Sequence, residues 1–367
     1  MAEIRVGVIG CGDVAQYVYL PTLAQHGGTA AVCDLDAARA AMTGARFGVA
    51  AVYTDPDRFL AEAPVDAVVN LTPNSHHYRV SLAALGAGKH VYSEKTLALT
   101  PEDADRLVAE AGARGLVLAA APAVVLNPAI ALARRLVREG AIGTVCYCAA
   151  HYSHQGPARA GYFRWYSHAM GLAGHRVDEL ESTDPSWFYR PGGGPLLDLG
   201  VYALHGLTSI LGPVRQVTAL SARRLPELVV EGGVARGRRI PVEVDDSSLL
   251  LLDFGEGVMA SLDASYNLLA TRRPQVELYG SEGVIALQPQ ARGGPLLELY
   301  RRGEWTQPEV SGPPWHLGSG IPEFLAAIGE RRQPAISAEH ARHVLEVCVR
   351  AYEAARSGRT LSVERSF

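Results

Sequence analysis

The chain is poor in cysteine, and its five cysteines, Cys11, Cys33, Cys146, Cys148 and Cys348, include no C-x-x-C pair. That spacing argues against a disulfide framework and against a cysteine-based metal or redox centre. Cys146 and Cys148, two apart, read as a buried, reduced pair on one face of a strand, which suits a reducing cytoplasm. Charge of one sign is also missing. The net charge is −4 and 48% of the residues are hydrophobic, so neither a disordered tail nor a nucleic-acid-binding surface is indicated. No apolar run is long enough to span a bilayer, and a strand begins so close to Met1 that no signal peptide fits ahead of it. A cytoplasmic protein without membrane contact is expected. Repeats and low-complexity tracts are absent. The histidine pairs His76/His77, His151/His154 and His340/His343 lack a convergent ligand set, so no metal is expected.

What the chain does have is concentrated in residues 4–15. A β-branched run ends at Gly10-Cys11-Gly12-Asp13-Val14-Ala15, and a helical pattern follows to about Gln25. In such a strand–turn–helix Gly10 permits the tight turn, Gly12 lets backbone approach a phosphate, and Ala15 keeps helix and sheet close. A second apolar run, Thr29 to Cys33, ends in Asp34, about 20 residues past the glycines, where an acid holds a ribose 2′-hydroxyl. The pattern predicts a dinucleotide site. A carboxylate at Asp34 accepts from two ribose hydroxyls and repels a 2′-phosphate, so NAD is favoured over NADP. Arg39, further along the next helix, is the one residue placed to swing in against that preference.

Length permits two domains, each with its own core. Up to Ala121 strand and helix alternate, with strands expected at 4–9, 29–33, 66–71, 89–92 and 116–120. A helix is expected from Pro101 to Arg114 behind Thr100 as its cap. Alternation of this kind predicts an N-terminal Rossmann-type, doubly wound parallel sheet. After one more helix, from Asn127-Pro128 to about Glu139, β-rich runs take over at 144–151, 215–221, 247–254, 258–266, 275–279 and 296–300. Turns between them suggest an antiparallel sheet. Helices return at 321–330 and 339–356. Residues 223–241, rich in Arg, Gly and Pro, read as an exposed loop. The expected division is 1–121 for the dinucleotide and 122–367 for the substrate.

Two stretches carry chemistry. Thr72-Pro73-Asn74-Ser75-His76-His77 and Ser93-Glu94-Lys95-Thr96 follow the carboxyl ends of parallel strands, where open α/β sheets bind ligands. Between Gly192 and His205 a glycine run and Pro195 start a helix. On it Asp198, Tyr202 and His205 fall at i, i+4 and i+7, a polar stripe on an otherwise apolar helix. Buried, they need partners. Such a stripe is either a structural hydrogen-bonded one or a catalytic face.

With these motifs in order, the chain resembles the glucose–fructose oxidoreductase/inositol dehydrogenase/rhizopine-catabolism (Gfo/Idh/MocA) family. The resemblance covers nearly the whole length and extends through Asp245-Asp246, the Tyr279–Gly283 turn and the helix beginning Ser337-Ala338-Glu339-His340. It implies a Rossmann domain followed by an α/β domain with a large, open, mostly antiparallel sheet that builds homo-oligomers, dimers or tetramers. It also implies hydride transfer between NAD(P) and a sugar, polyol or related secondary alcohol. On this resemblance Lys95 matches the active-site lysine, Asp198 the acid that orients substrate, and Tyr202 stands where many members have a catalytic histidine. Trp187 resembles an aromatic near the nicotinamide, and His205 is placed to relay a proton onward. Gly10, Gly12, Asp13, Val14, Ala15, Asp34, Thr72, Pro73, Asn74, His77, Glu94 and Lys95 make up the expected cofactor contacts. An unperturbed tyrosine titrates near ~10, and a Lys95 ammonium beside Tyr202 would make it a usable base nearer neutrality. Thr96 replaces the proline usual after the lysine, which leaves a cis bond there without its ordinary cause. Two other outcomes are compatible with the resemblance: an NAD-binding ligand sensor without catalysis, and a redox-neutral NAD-dependent glycosidase. The aromatic run Tyr162-Phe163-Arg164-Trp165-Tyr166 suits a sugar pocket and a packing role equally.

Overall fold

The computed structural model describes residues 4–159, 184–289, 294–364 and 366–367. The aromatic run at 162–166 lies outside them. The first sheet holds β1 (Val6–Ile9), β2 (Ala31–Cys33), β3 (Ala51–Tyr53), β4 (Ala67–Asn70), β5 (His90–Ser93) and β6 (Leu118–Ala120). All pairings are parallel, in the order β3-β2-β1-β4-β5-β6. Strand order reverses between β1 and β4, the crevice where such sheets take ligands. The strand at β3 was not expected: it is a three-residue edge strand, too short and too exposed to show a pattern. The loop after β4 therefore follows the fourth parallel strand and not the third.

The helices obey their caps. A π-helical stretch, Ala15–Tyr19, runs into α1 (Leu20–Ala24) behind the glycine loop. Then come α2 (Ala37–Phe47), α3 (Pro56–Glu62), α4 (Asn74–Gly86) and α5 (Pro101–Arg114). Thr100 caps α5 as expected, its hydroxyl accepting the Asp103 N–H, with Pro101 in the first turn. The next helix, α6 (Pro128–Arg138), is capped by Asn127, and α7 (Val201–Leu211) continues a π turn at Leu196–Gly200.

Among the described residues the second sheet has nine strands, in the order β16-β15-β14-β13-β7-β12-β11-β8-β17. They are β7 (Val145–His151), β8 (Gln216–Ala222), β11 (Ser247–Gly255), β12 (Val258–Ser265), β13 (Val276–Gly280), β14 (Gly283–Leu287), β15 (Leu297–Arg301), β16 (Glu304–Thr306) and β17 (Leu361–Ser362). Only β7 and β12 pair in parallel. One face packs on α6, α7 and α9 (Ala338–Ser357) through Leu250, Leu252, Leu262, Leu278 and Val347. The expectation of two buried cysteines is half right. Cys148 points into this core, whereas Cys146, at the start of β7, is exposed with Sγ 3.3 Å from the Thr144 carbonyl.

The segment 223–241 is not a plain loop. It forms an antiparallel ribbon of β9 (Glu227–Val229) and β10 (Arg239–Pro241). Val230, Ile240 and Val242 bury themselves against Phe188, Tyr189 and Tyr266, while the arginines that dominate the composition face outward. The chain then returns to the first sheet. Ile321 and Phe324 of α8 (Gly320–Glu330) join the core around Tyr19 and Tyr92, and Ala120 donates its N–H to the Ile336 carbonyl. Helix α9 packs with Ala341 and Leu345 on the first core and Val344 and Cys348 on the second.

Candidate active site

A cavity of about 1390 Å³ opens at the carboxyl ends of β1, β2, β4 and β5 and continues across to α7 and the ends of β7 and β13. Gly10, Gly12, Asp13, Val14, Ala15, Asp34, Thr72, Pro73, Asn74, His77, Glu94, Lys95, Trp187, Asp198 and Tyr202 all line it. The polar stripe of 192–205 is split, however. His205 is buried outside that lining, its ring 4.5 Å from His340 of α9 and its pKa held well below the ordinary value by burial. The π turn at Leu196–Gly200 breaks the 3.6-residue spacing on which the stripe was read. No relay through His205 is built into this arrangement.

The dinucleotide end fits its ligand. Gly10 adopts φ +96°, and a Cβ there would lie 2.6 Å from the Leu71 backbone, so only glycine is tolerated. At Gly12 a Cβ would meet nothing within 4 Å, which leaves the loop open where a pyrophosphate approaches. The buried Asp34 carboxylate accepts N–H groups from Cys11 at 2.8 Å and Asp36 at 2.9 Å. These fix it at the end of β2. Arg39 stands 3.4 Å from Asp34 and is partly exposed. Asp13, beside the phosphate loop, has its pKa pushed up to about 6, chiefly by burial.

At the reaction end, Lys95 and Asp198 form a nearly buried pair, Nζ to Oδ1 2.5 Å, with Nζ also donating to the Asp198 carbonyl at 3.1 Å. A pair in this setting must be further hydrogen-bonded to persist. Tyr266 supplies the bond, its hydroxyl donating to Asp198 Oδ2 at 2.9 Å. Lys95 Nζ lies 5.5 Å from the centre of the Tyr202 ring. Glu94 turns away from the cavity's chemistry: it accepts the Tyr19 hydroxyl at 2.5 Å and the Lys95 N–H at 2.8 Å, fixing the backbone that carries the lysine. The Lys95–Thr96 peptide is cis although no proline follows. Asn74 spends its amide on the Gly192 carbonyl, tying α4 to the glycine run. Trp187 is half exposed and stacks on Phe188 at 3.7 Å.

Three residues at the site escaped the sequence reading. Tyr266 follows β12 and bonds Asp198. His154 stacks on Tyr266 at 5.7 Å, and its Nδ1 accepts the Gly156 N–H at 2.9 Å, so the neutral ring carries its hydrogen on Nε2. Its pKa is pushed down to about 4, chiefly by burial, with Asp198 opposing. His151 presents Nδ1 to Asp263 at 2.5 Å, and Asp263 also accepts the Ser153 hydroxyl at 2.5 Å. The sequence signal for the two histidines is their place at the end of a strand, a pattern that suits hydrogen bonding within the site as well as metal binding. Among the described residues no group of three or more His, Cys, Asp or Glu is placed to hold a metal ion.

Comparison with known proteins gives concordant matches. Residues 4–121 match the family described as "Oxidoreductase family, NAD-binding Rossmann fold", and residues 130–286 match the GFO/IDH/MocA C-terminal domain. The dTDP-3,4-didehydro-2,6-dideoxy-alpha-D-glucose 3-reductase of Streptomyces violaceoruber is 33% identical over 306 residues, covering 81% of this chain and 78% of that protein. The D-glucoside 3-dehydrogenase of Escherichia coli (strain K12) is 27% identical over 371 residues, covering 97% of each. Among solved structures, a levoglucosan dehydrogenase complex with NADH and L-sorbose superposes with a TM-score of 0.81 at 22% identity, covering 100% of both chains.

Proposed function

Because the chain belongs to the Gfo/Idh/MocA oxidoreductase family, we propose that it oxidises or reduces a ring secondary alcohol of a sugar, with NAD as the preferred cofactor. The observation that carries this reading is the Lys95–Asp198 pair beside Tyr202, in a cavity continuous with a dinucleotide-binding loop. With a dinucleotide's pyrophosphate held at the glycine loop, its nicotinamide would supply the hydride acceptor or donor. Tyr202 exchanges the hydroxyl proton, Lys95 polarises the reacting oxygen, and Asp198, held by Tyr266, keeps Lys95 aimed and orients the substrate. Two of the relatives are named for chemistry at sugar position 3, which supports the same ring position here. A ligand sensor needs no proton-transfer set, and the retention of this one argues against that alternative.

Asp34 supports the preference for NAD, since its fixed carboxylate would repel a 2′-phosphate, and Arg39 is already paired with it. We assign the dinucleotide to residues 1–121 and the substrate and subunit contacts to 122–367. The face of the second sheet that no described residue covers, with Leu220 opposite Leu249 and with Leu251 and Met259 also exposed, supports a homo-oligomer, because contiguous exposed apolar patches mark interfaces. Five free cysteines, four of them buried, suit the cytoplasm. No helix among the described residues is long and apolar enough to cross a membrane.

The test is NADH appearance with purified protein, NAD and a panel of glycosides, aldoses and inositols, with Lys95→Ala as the blank. Signal in the wild type alone establishes the dehydrogenase. Silence with NAD bound, or glycoside cleavage without NADH, overturns it.

A further inference from the structure

His77 was expected to touch the cofactor, but both of its ring nitrogens are used by the protein itself. Nδ1 lies 2.6 Å from the carbonyl oxygen of Thr96, the residue after Lys95. Nε2 lies 2.7 Å from the carbonyl oxygen of Thr72, in the loop after β4. The ring is almost wholly buried. A carbonyl oxygen only accepts, so each nitrogen that meets one at this distance must donate. A neutral imidazole has a single N–H; its second nitrogen would set a lone pair against a carbonyl at van der Waals overlap, inside a low-dielectric core.

We propose that His77 is held as an imidazolium that fastens the Lys95 loop to the Thr72 loop, and that it is a positioning residue for Lys95 rather than a contact of the cofactor. The rest of the network fits a clamp. The Asn70 amide donates to the His77 carbonyl at 3.1 Å and to Ser81 at 3.0 Å, and its oxygen accepts the Thr72 hydroxyl at 2.7 Å. The ends of β4 and β5 and the first turn of α4 are thereby locked into one unit. Burial acts most strongly and opposes the cation, as does Lys95, while the Thr96 and Thr72 carbonyls and Glu94 favour it; on balance the environment holds the ring's pKa below its ordinary value, so the cation rests on the two short carbonyl contacts. Geometry decides between these influences, because the two carbonyls leave no room for a bare nitrogen. The sign follows: the clamp is complete while the ring holds its second proton, and rising pH removes that proton and frees one loop.

The direct test is the 15N and attached-proton NMR spectrum of the ring in histidine-labelled protein without cofactor. The His77 signals are assigned by their absence in His77→Gln or, where that variant does not fold, by contacts to Thr72 and Thr96. Two protonated nitrogens at neutral pH are expected. One unprotonated nitrogen at that pH overturns the proposal. This readout is independent of the dehydrogenase reading, so a charged ring in a protein that turns over no sugar would sink that reading and leave the clamp standing. In the active enzyme His77→Gln should lower kcat by on the order of 10- to 100-fold, the cost of a misplaced catalytic group. NAD affinity should change less than about threefold, since uniform binding is untouched. The wild-type kcat should also fall with rising pH through a step that is missing in the variant. A variant that loses NAD affinity while keeping kcat would return His77 to the cofactor site.

Discussion

The two sheets bury apolar residues to different extents, and the difference locates what the chain leaves for a partner. In the first, β1 and β4 are buried at every position, because helices cover both faces, as parallel sheets require. In the second, β11 carries an unbroken run, Leu249 to Leu252. In sequence it reads like another doubly covered strand. It alternates instead: Leu250 and Leu252 are 1% and 2% exposed, Leu249 and Leu251 59% and 62%. Four leucines of equal hydrophobicity thus occupy two environments, and nothing among the described residues covers the outer pair. An apolar face left open in this way supports the proposed association with a second copy.

The sharpest way to separate the two halves of the molecule is through the lysine that stands where they meet. Lys95→Ala should lower turnover by about 10²- to 10³-fold, in the range of a lost donor to the reacting oxygen, while the NAD dissociation constant measured by fluorescence titration stays near wild type. Loss of NAD binding to the same degree would place Lys95 with the dinucleotide half. The two faces of β11 are tested next. Leu250→Ala should cost about 2–5 kcal/mol of stability, as buried leucine truncations do, and leave the oligomer's mass unchanged. Leu251→Glu should do the opposite: a small change in the stability of the isolated subunit, but dissociation to monomer in sedimentation velocity. An oligomer that survives Leu249→Glu/Leu251→Glu would show that another surface joins the subunits.

Legibility in the sequence followed the same divide. The first sheet could be read because each parallel strand is a short apolar run ending in the loop that does the chemistry, from Gly10 after β1 to Lys95 after β5. What failed there was β3, a half-exposed edge strand of three residues that leaves no period to detect. In the second half the strands alternate and were mostly found, but contacts between them were not. Tyr266 and His154 reach Asp198 only through the pairing of β7 with β12, a register that no local pattern encodes. His205 went the other way. The helical spacing that aligned it with Asp198 and Tyr202 assumed a regular helix, and the π turn removed that premise. The ribbon at 227–241 was hidden by composition, since its glycines and exposed arginines interrupt the few apolar residues, Leu228, Val230 and Ile240, that hold it down.

Two carboxylates within the dinucleotide end sharpen the comparison at smaller scale. Asp34 is tied by two backbone N–H groups, whereas burial raises the pKa of Asp13 from 3.8 to about 6. For an acid whose folded pKa is raised, the charged form is the one penalised. The folded protein therefore bears no cost from Asp13 below about pH 3, where both states are protonated. A growing cost sets in as pH rises from 4 through 6, when the unfolded chain ionises first. Removing the charge with Asp13→Asn should accordingly raise the melting temperature above pH 6, by a stability gain of about 3 kcal/mol, and leave it unchanged at about pH 3. Because a pyrophosphate would add its own negative charge beside this carboxyl, the same substitution should tighten NAD binding at pH 8 more than at pH 5. A gain in stability that is equal at pH 3 and pH 8 would mean that the substitution acts through packing and that Asp13 bears no penalty for its charge.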